Sequence, residues 1–479
     1  MTVENAYSLH MAYLEQFFFV IAIAVTGWFI TKRVKLINRA IRLGRPEDRS
    51  ANPGERLKIM VQVAFGQKKM FDNLLVGLVH FVIYAGFIII NLEILEIIID
   101  GVVGTHRVFA PYIAPIYPFL INVFEVLAFG VLAVCVVFLT RRWVSKVPRL
   151  QPARHRELKQ WPVKDATNIL VAEIVLMIAF LTWNAADSVL RDRGVGHYGE
   201  LQGIIPDFVI SQFLKPLFTS LSDGALVGYE RTAWWLHILG IMAFAVYVTY
   251  SKHLHIALGF PNVYFSDLKP KGEMANMPEV TKEVQLMLGL TPGRSAGAVD
   301  SPEQTAEADP TAGNDNGQQP ETIGRFGAKD VEDLRWINLM NAYSCTECGR
   351  CTSACPANIT GKKLSPRKIM MDTRDRLEDI QKGWVKNGPD YKDDKSLLGD
   401  YITVEEINAC TTCQACVVAC PININPLDII LQLRRYKVME ESQAPGSWNA
   451  MFSNIENNMA PWKFSPSDRF NWADQVNEK

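Results

Sequence analysis

The sequence predicts an all-α protein: a five-span transmembrane helix bundle followed by a cytoplasmic α-helical domain. Three observations carry that expectation: apolar runs long enough to cross a bilayer, uneven charge in the loops between them, and two cysteine runs of identical spacing near the C-terminus. Of the 479 residues 49% are hydrophobic, and these are concentrated before residue 260. A hydrocarbon core of ~30 Å needs about 20 apolar residues in helical form. Five stretches meet that length, at about 11–30, 74–99, 115–140, 166–190 and 232–256. The first has no basic region before it and no small-residue cleavage site after it, so it is expected to stay as an anchor.

Loop charge gives the orientation. Segment 31–70 carries eleven Lys or Arg and 141–164 carries eight, whereas 100–114 has only Arg107 and the 191–231 connection has four. Basic loops stay on the cytoplasmic side. The N-terminus is therefore expected outside, and everything beyond the fifth span inside, at a cytoplasmic (inner) membrane. The apolar stretch 204–218 is expected to lie flat on the outer surface.

The cysteine runs are Cys345-x2-Cys348-x2-Cys351-x3-Cys355-Pro356 and Cys410-x2-Cys413-x2-Cys416-x3-Cys420-Pro421. This is the spacing of a two-[4Fe–4S] ferredoxin, in which the fourth Cys of each run ligates the other cluster. One cluster would take Cys345, Cys348, Cys351 and Cys420, the other Cys410, Cys413, Cys416 and Cys355. Zinc knuckles and disulfides are the alternatives, and neither requires the third Cys at x2 with a Cys-Pro, twice over. Cys135 lies in an apolar run and reads as a buried, inert thiol.

Between the last span and these runs the composition changes. From Arg294 to Arg325 no cation intervenes, while acids sit among Ala, Gly, Pro and Gln. Such a stretch buries too little apolar surface to offset its ordering entropy, so 293–323 is expected to be a flexible tether. The domain plan is then 1–260 for the membrane part, 261–330 for a juxtamembrane segment and acidic linker, 331–440 for the ferredoxin domain and 441–479 for a tail. The insert between the cysteine runs has helical character over Lys362–Leu377, so the ferredoxin domain is expected to be α-helical.

Histidine on facing spans is the signature of haem b. His80 lies in span two, His237 in span five, and His253 and His255 at that span's inner end. If span five is one helix, His237 and His255 are five turns apart on one face and ~27 Å apart along the axis, while His253 points ~160° away. His80 with His255 is the first choice for a bis-His pair. His237 faces Asn91 on span two, with His10, His106 and His197 further out.

The runs Trp234-Trp235-Leu236-His237, Tyr250-Ser251-Lys252-His253-Leu254-His255 and Pro261-Asn262-Val263-Tyr264-Phe265 resemble the last helix of membrane iron–sulfur oxidoreductases with a nitrate-reductase-gamma-like cytochrome b domain. His80-Phe-Val-Ile-Tyr-Ala-Gly-Phe is similar to that family's second helix. The resemblance implies His80 with His255 as the inner haem pair. The family's outer-haem partner, ten residues past His80, is Ile90 here, so one haem is expected and two are possible, with His237 the candidate ligand of the second. The tail, from Asn454 through Pro461-Trp462 to Trp472-Ala473-Asp474, is similar to the connector before the cysteine-rich CCG domains of heterodisulfide-reductase-like proteins. That implies a separate CCG-domain iron–sulfur subunit as partner.

No P-loop, dinucleotide fingerprint or nucleophile elbow is present. A net charge of −1 without a basic stripe argues against nucleic acid. Of the intramembrane carboxylates Glu15, Glu93, Glu96, Glu125, Glu173 and Asp187, costly in lipid, Glu93 and Glu96 are the first candidates to accompany quinone protonation. The reading is an electron-transfer subunit linking the quinone or menaquinone pool to a cytoplasmic partner through haem b and two [4Fe–4S] clusters. An electron-transfer flavoprotein or another soluble dehydrogenase would serve as that partner. The alternative is a non-catalytic membrane anchor and docking subunit.

Overall fold

The computed structural model describes residues 3–159, 161–205, 207–270, 272–289 and 325–477. The tether expected at 293–323 lies outside these. Among the described residues the chain is helical, with isolated bridges and no strand. The helices are α1 (Val3–Ile41), α2 (Pro53–Met60), α3 (Leu74–Val103), α4 (Tyr117–Trp143), α5 (Trp161–Asp192), α6 (Asp223–Val248), α7 (His255–Tyr264) and α8 (Pro278–Met287). They are followed by α9 (Trp336–Ser344), α10 (Arg350–Ser353), α11 (Pro356–Ile359), α12 (Pro366–Asn387), α13 (Val404–Asn408), α14 (Ala415–Ala419), α15 (Pro426–Arg435), α16 (Gly446–Asn458) and α17 (Asn471–Asn477).

Five of these are long and apolar enough to cross a membrane: Tyr13–Ile41 of α1, then α3, α4, α5 and α6. They close a ring in which each packs on its neighbours and α1 completes the circuit against α3 and α6. The core between them is Phe19, Ile90, Ile97, Val131, Phe180 and Trp234 among others, with Cys135 buried there as expected. The outward faces stay apolar, as at Phe17, Trp28 and Phe119, the pattern of helices solvated by lipid rather than water. Local signals set the ends. Asn73 accepts the Val76 N–H at 3.2 Å to start α3, and Gly104 ends it at φ 81, a left-handed stop that glycine adopts without strain.

Two expectations need correction. The fifth span does not run to 256: α6 stops at Val248, and Lys252–Leu254 form a separate 3-10 turn before α7. Ser251 leaves the helical region, at φ −111 and ψ 165, and its Oγ accepts the His253 N–H at 2.9 Å. Asp165 of α5 accepts the Lys252 N–H at 3.1 Å and the Tyr247 hydroxyl at 2.7 Å. These bonds offer the backbone partners that a continuous helix would otherwise supply. The stretch 204–218 is not a flat surface segment either. Ile205 and Phe208 are buried with Tyr117, Ile121 and Phe124 of α4, while Val209, Phe213 and Leu217 turn outward.

The C-terminal head, residues 325–440, is built on α9, α12 and α15. Ser365, ahead of Pro366, accepts the Lys368 N–H at 3.4 Å to start α12, and Thr403 with Glu406 makes a capping box for α13. The head is docked on the bundle. Ile37 and Ala40 from the end of α1 and Leu254 from the 3-10 turn belong to the same core as Leu339, Ile369, Leu377 and Ile430 of the head. At Gly44 a Cβ would stand 2.6 Å from the Trp336 nitrogen, so only glycine fits this approach. Arg33, 5% exposed, bonds Glu378 at 2.6 Å and Gln381 at 2.5 Å across the junction.

Candidate functional site

The two cysteine runs fold as copies of one loop. In the first, Glu347 (φ 56) and Gly349 (φ 74) are left-handed; in the second, Thr412 (φ 56) and Gln414 (φ 59) occupy the same steps. Alternating hand turns successive N–H groups toward one point, the geometry of an anion nest. The Thr412 N–H reaches Cys410 Sγ at 3.4 Å, and the Ile424 N–H reaches Cys420 Sγ at 3.3 Å. The short helices that follow, α10 and α14, pack on each other and so bring the runs together.

A cavity lies at their junction, lined by Cys345, Cys348, Cys351 and Cys420 with Met370 and Pro421. This is the crossed set that the spacing predicts. Around Cys416, burial first and then the nearby Cys410 and Cys355 charges push the thiol up to about 12. Cys355 thus stands by the second run, away from its own. A bare thiol set of this kind holds its protons until a metal displaces them. The residues fit two cubanes, each with thiolates from both runs. Each site has two buried cysteines, Cys345 with Cys420 in the first and Cys355 with Cys416 in the second, and Cys413 of the second is exposed.

The first cysteine loop rests on the bundle. Lys69 Nζ donates to the Cys420 carbonyl at 3.1 Å and to Asn423 at 2.6 Å, and Arg350 donates to the Lys69 carbonyl at 2.9 Å. Glu347, between Cys345 and Cys348, is 4% exposed and is clamped by Lys252 of the 3-10 turn and by Arg374 of α12 at 2.5 Å. Burial would raise this carboxyl, but the Arg374 and Lys252 charges outweigh it and hold it at about 2. The clamp was not visible as a motif. Its only sequence trace is an acid inside a CxxC loop.

The histidines gather beside this contact. His253 and His255 rings are 5.5 Å apart at 88°. His253 is pushed down to about 3 by burial, then by the His255 and His80 charges, so all three share one neighbourhood. The break after Val248 therefore removes the geometric ground for setting His253 apart on the wrong face. His255 Nδ1 pairs with the Lys252 carbonyl at 3.0 Å, which leaves Nε2 for a ligand, the usual orientation of an axial imidazole. His80 Nδ1 is buried without a hydrogen-bond partner. This donor set fits one haem. His237 has the same kind of anchor, its Nδ1 pairing with the Leu176 carbonyl at 3.0 Å, but its ring lies 5.6 Å from Phe180 and 6.3 Å from Trp183 in the bundle core. His106 is taken by Asp187 at 3.0 Å and His197 stacks on Tyr198 at 4.0 Å. The His10 side chain lies outside the described residues.

The expected intramembrane acids divide sharply. Glu96 accepts from Tyr117 at 2.8 Å and the Phe109 N–H at 2.9 Å. Glu125 accepts from Asn184 at 3.1 Å, the Ile210 N–H at 2.9 Å and Ser211. Asp187 holds His106 and lies 3.4 Å from Arg107. Glu93 has no hydrogen-bond partner on either oxygen.

Residues 344–424 match the family model of a 4Fe-4S dicluster domain. Over 489 aligned residues the chain is 28% identical to a probable iron-sulfur-binding oxidoreductase, FadF, of Bacillus subtilis, covering 96% of this chain and 60% of the relative. It is 26% identical over 277 residues to the EtfAB:quinone oxidoreductase of Syntrophomonas wolfei, covering 54% of this chain and 33% of that protein. A probable membrane-anchored ferredoxin of Chromohalobacter salexigens is 30% identical over 171 residues, 31% of this chain and 24% of the relative. The chain thus spans 60% and 33% of the lengths of the first two relatives. No solved structure matches it. The chain is a membrane protein related to iron–sulfur oxidoreductases, with a 4Fe-4S dicluster domain at residues 344–424.

Proposed function

We propose that this chain relays electrons between a membrane quinone pool and a cytoplasmic redox partner. Electron transfer through an iron–sulfur module is the common ground with its relatives. The observation that supports the finer reading is the juxtaposition of His80 and His255 with the Cys345–Cys351 loop, joined through Lys252 and Glu347. Haem b held by His80 and His255, and two cubanes held by the eight cysteines, supply one-electron carriers when bound. The chain's own residues set the path. Lys252 fixes the haem-side turn to the first cysteine loop, the first site rests against the bundle through Lys69, and exposed Cys413 marks the second site as the side open to a partner. His237 is packed by aromatic rings, and the relay needs only the haem held by His80 and His255.

The quinone partner follows the printed activity of the EtfAB:quinone oxidoreductase relative. A CCG-domain subunit or an electron-transfer flavoprotein is the proposed soluble partner, at the tail where Phe452, Trp462, Phe464, Phe470 and Trp472 are exposed, aromatic anchors of the kind interfaces favour. The basic segments 31–70 and 141–164 flank the head, and the positive-inside rule puts that side in the cytoplasm.

The test is anaerobic purification followed by addition of a reduced quinol analogue. About eight non-haem irons per chain, a b-type absorbance and its reduction by the quinol are expected. Zinc in place of iron, or carriers that the quinol leaves oxidised and a reduced soluble partner leaves unchanged, would make the chain an anchor rather than a relay.

A further inference from the structure

The end of the bundle remote from the head carries an open cleft of about 830 Å³, inside the range of ~300–1,000 Å³ typical of small-molecule sites. Aromatic rings of Phe19, Trp183, Trp234 and Trp235 line it together with Glu93 and Arg107. Glu93 is 2% exposed and Arg107 3% exposed. Neither Glu93 oxygen has a hydrogen-bond partner, Arg107 Nε has none, and the nearest approach of the two, Nη1 to Oε1, is 4.0 Å. The other buried acids at this end, Glu96, Asp100, Glu125 and Asp187, are each engaged by protein donors. A buried carboxyl left without a hydrogen bond is costly even beside a cation and rarely kept without a reason.

The missing partner must bring a hydroxyl donor and a flat apolar body. One wall of the cavity is α1, which contributes Glu15, Gln16 and Phe19 and whose other face, at Tyr13, Phe17 and Phe18, is apolar and exposed as a lipid-facing surface would be. We propose that the cavity binds the ring of a lipid-soluble quinol, with an O–H donating to Glu93, Arg107 beside the same oxygen, and the ring against the tryptophans. This places the substrate of the relay reading and rests on that reading for the ligand's class.

The probe is 2-heptyl-4-hydroxyquinoline N-oxide, a quinol mimic whose fluorescence is quenched on binding, titrated into the full-length protein. One site is expected, with affinity lowered about tenfold or more by Glu93→Gln and lowered also by Trp235→Ala. An affinity that ignores Glu93→Gln overturns the proposal and leaves the cavity a water-filled vestibule. Photolabelling of the wild-type chain with an azidoquinone checks this without a variant: label in segments 93–112 or 230–236 supports the site, and label confined to the surroundings of His80 and His255 overturns it. The two readings fail separately. If Glu93 governs probe binding but quinol delivers no electrons to the wild-type carriers, the relay falls and the binding site stands; if quinol reduces the Glu93→Gln carriers at the wild-type rate with unchanged probe affinity, the site falls and the relay stands.

Discussion

The two ends of the bundle share the same helices and carry opposite chemistry. At the head side three half-buried imidazoles, His80, His253 and His255, gather beside buried Asp165 and Arg33; burial lowers His253 and a backbone carbonyl anchors His255. At the remote end the buried polar groups are carboxylates and guanidinium: Glu93, Glu96, Asp187 and Arg107. Neutral imidazole ligates metal, whereas carboxyl groups accept and release protons. A bundle that placed both sets together would have to manage ligand competition and proton traffic at one point. Separation along ~20 Å of α3, the thirteen residues from His80 to Glu93, lets each end be tuned alone.

The largest test of that division is removal of an imidazole. His80→Ala and His255→Ala are each expected to abolish the b-type absorbance, whereas His237→Ala and His253→Ala retain it. Loss in His253→Ala with retention in His255→Ala would hand the axial role to the neighbouring ring. Next in size is the loss of one cluster: Cys348→Ser and Cys413→Ser should each bring non-haem iron from about eight to about four per chain, with different clusters missing by EPR. Of the two, Cys413→Ser should disturb folding less, because that thiol is exposed.

A smaller effect is expected at the junction. Glu347→Gln leaves Lys252 and Arg374 facing a neutral group, and breaking a buried pair from one side costs about 3–5 kcal/mol, so head undocking in denaturant should move to lower concentration while iron content is kept. The least effect is that of pH. Glu347 is held below its ordinary value of 4.5, at about 2, so its contribution is present above 4.5 and is lost as pH falls from there toward 2. Docking followed by limited proteolysis should therefore be flat around neutrality and weaken only in acid. Weakening at neutral pH would point to the histidine side instead.

Much of this was legible in the sequence, and the misses have a physical pattern. Five spans and the 4Fe-4S dicluster domain follow from hydropathy and spacing, which are local signals. The end of span five was misplaced because Tyr250, Leu254 and Ile256 keep the stretch apolar, while the break is made by Ser251 together with Asp165, 87 residues from Lys252. The docking of the head was hidden for the same reason: Arg33 and Glu378 are 345 residues apart, and a charged residue after a span reads as a topology signal before it reads as an interface. Six intramembrane acids looked alike in the sequence. Only hydrogen-bond partners, a tertiary property, set Glu93 apart from Glu96 and Glu125.

Ile37 and Ala40, at the end of the first membrane helix, are 5% and 0% exposed inside the head's own core. A ribosome releases them roughly three hundred residues before Trp336 and its neighbours emerge, and chains are made from the N-terminus onward. The head therefore cannot complete its core alone and dock afterwards. Its last core positions are filled by a helix already threaded into the bilayer, so maturation has an order: membrane insertion first, closure of the head second. An unassembled chain would show an unfilled apolar seam beside its cysteine loops, a mark by which cellular quality control can tell an uninserted copy from a finished one.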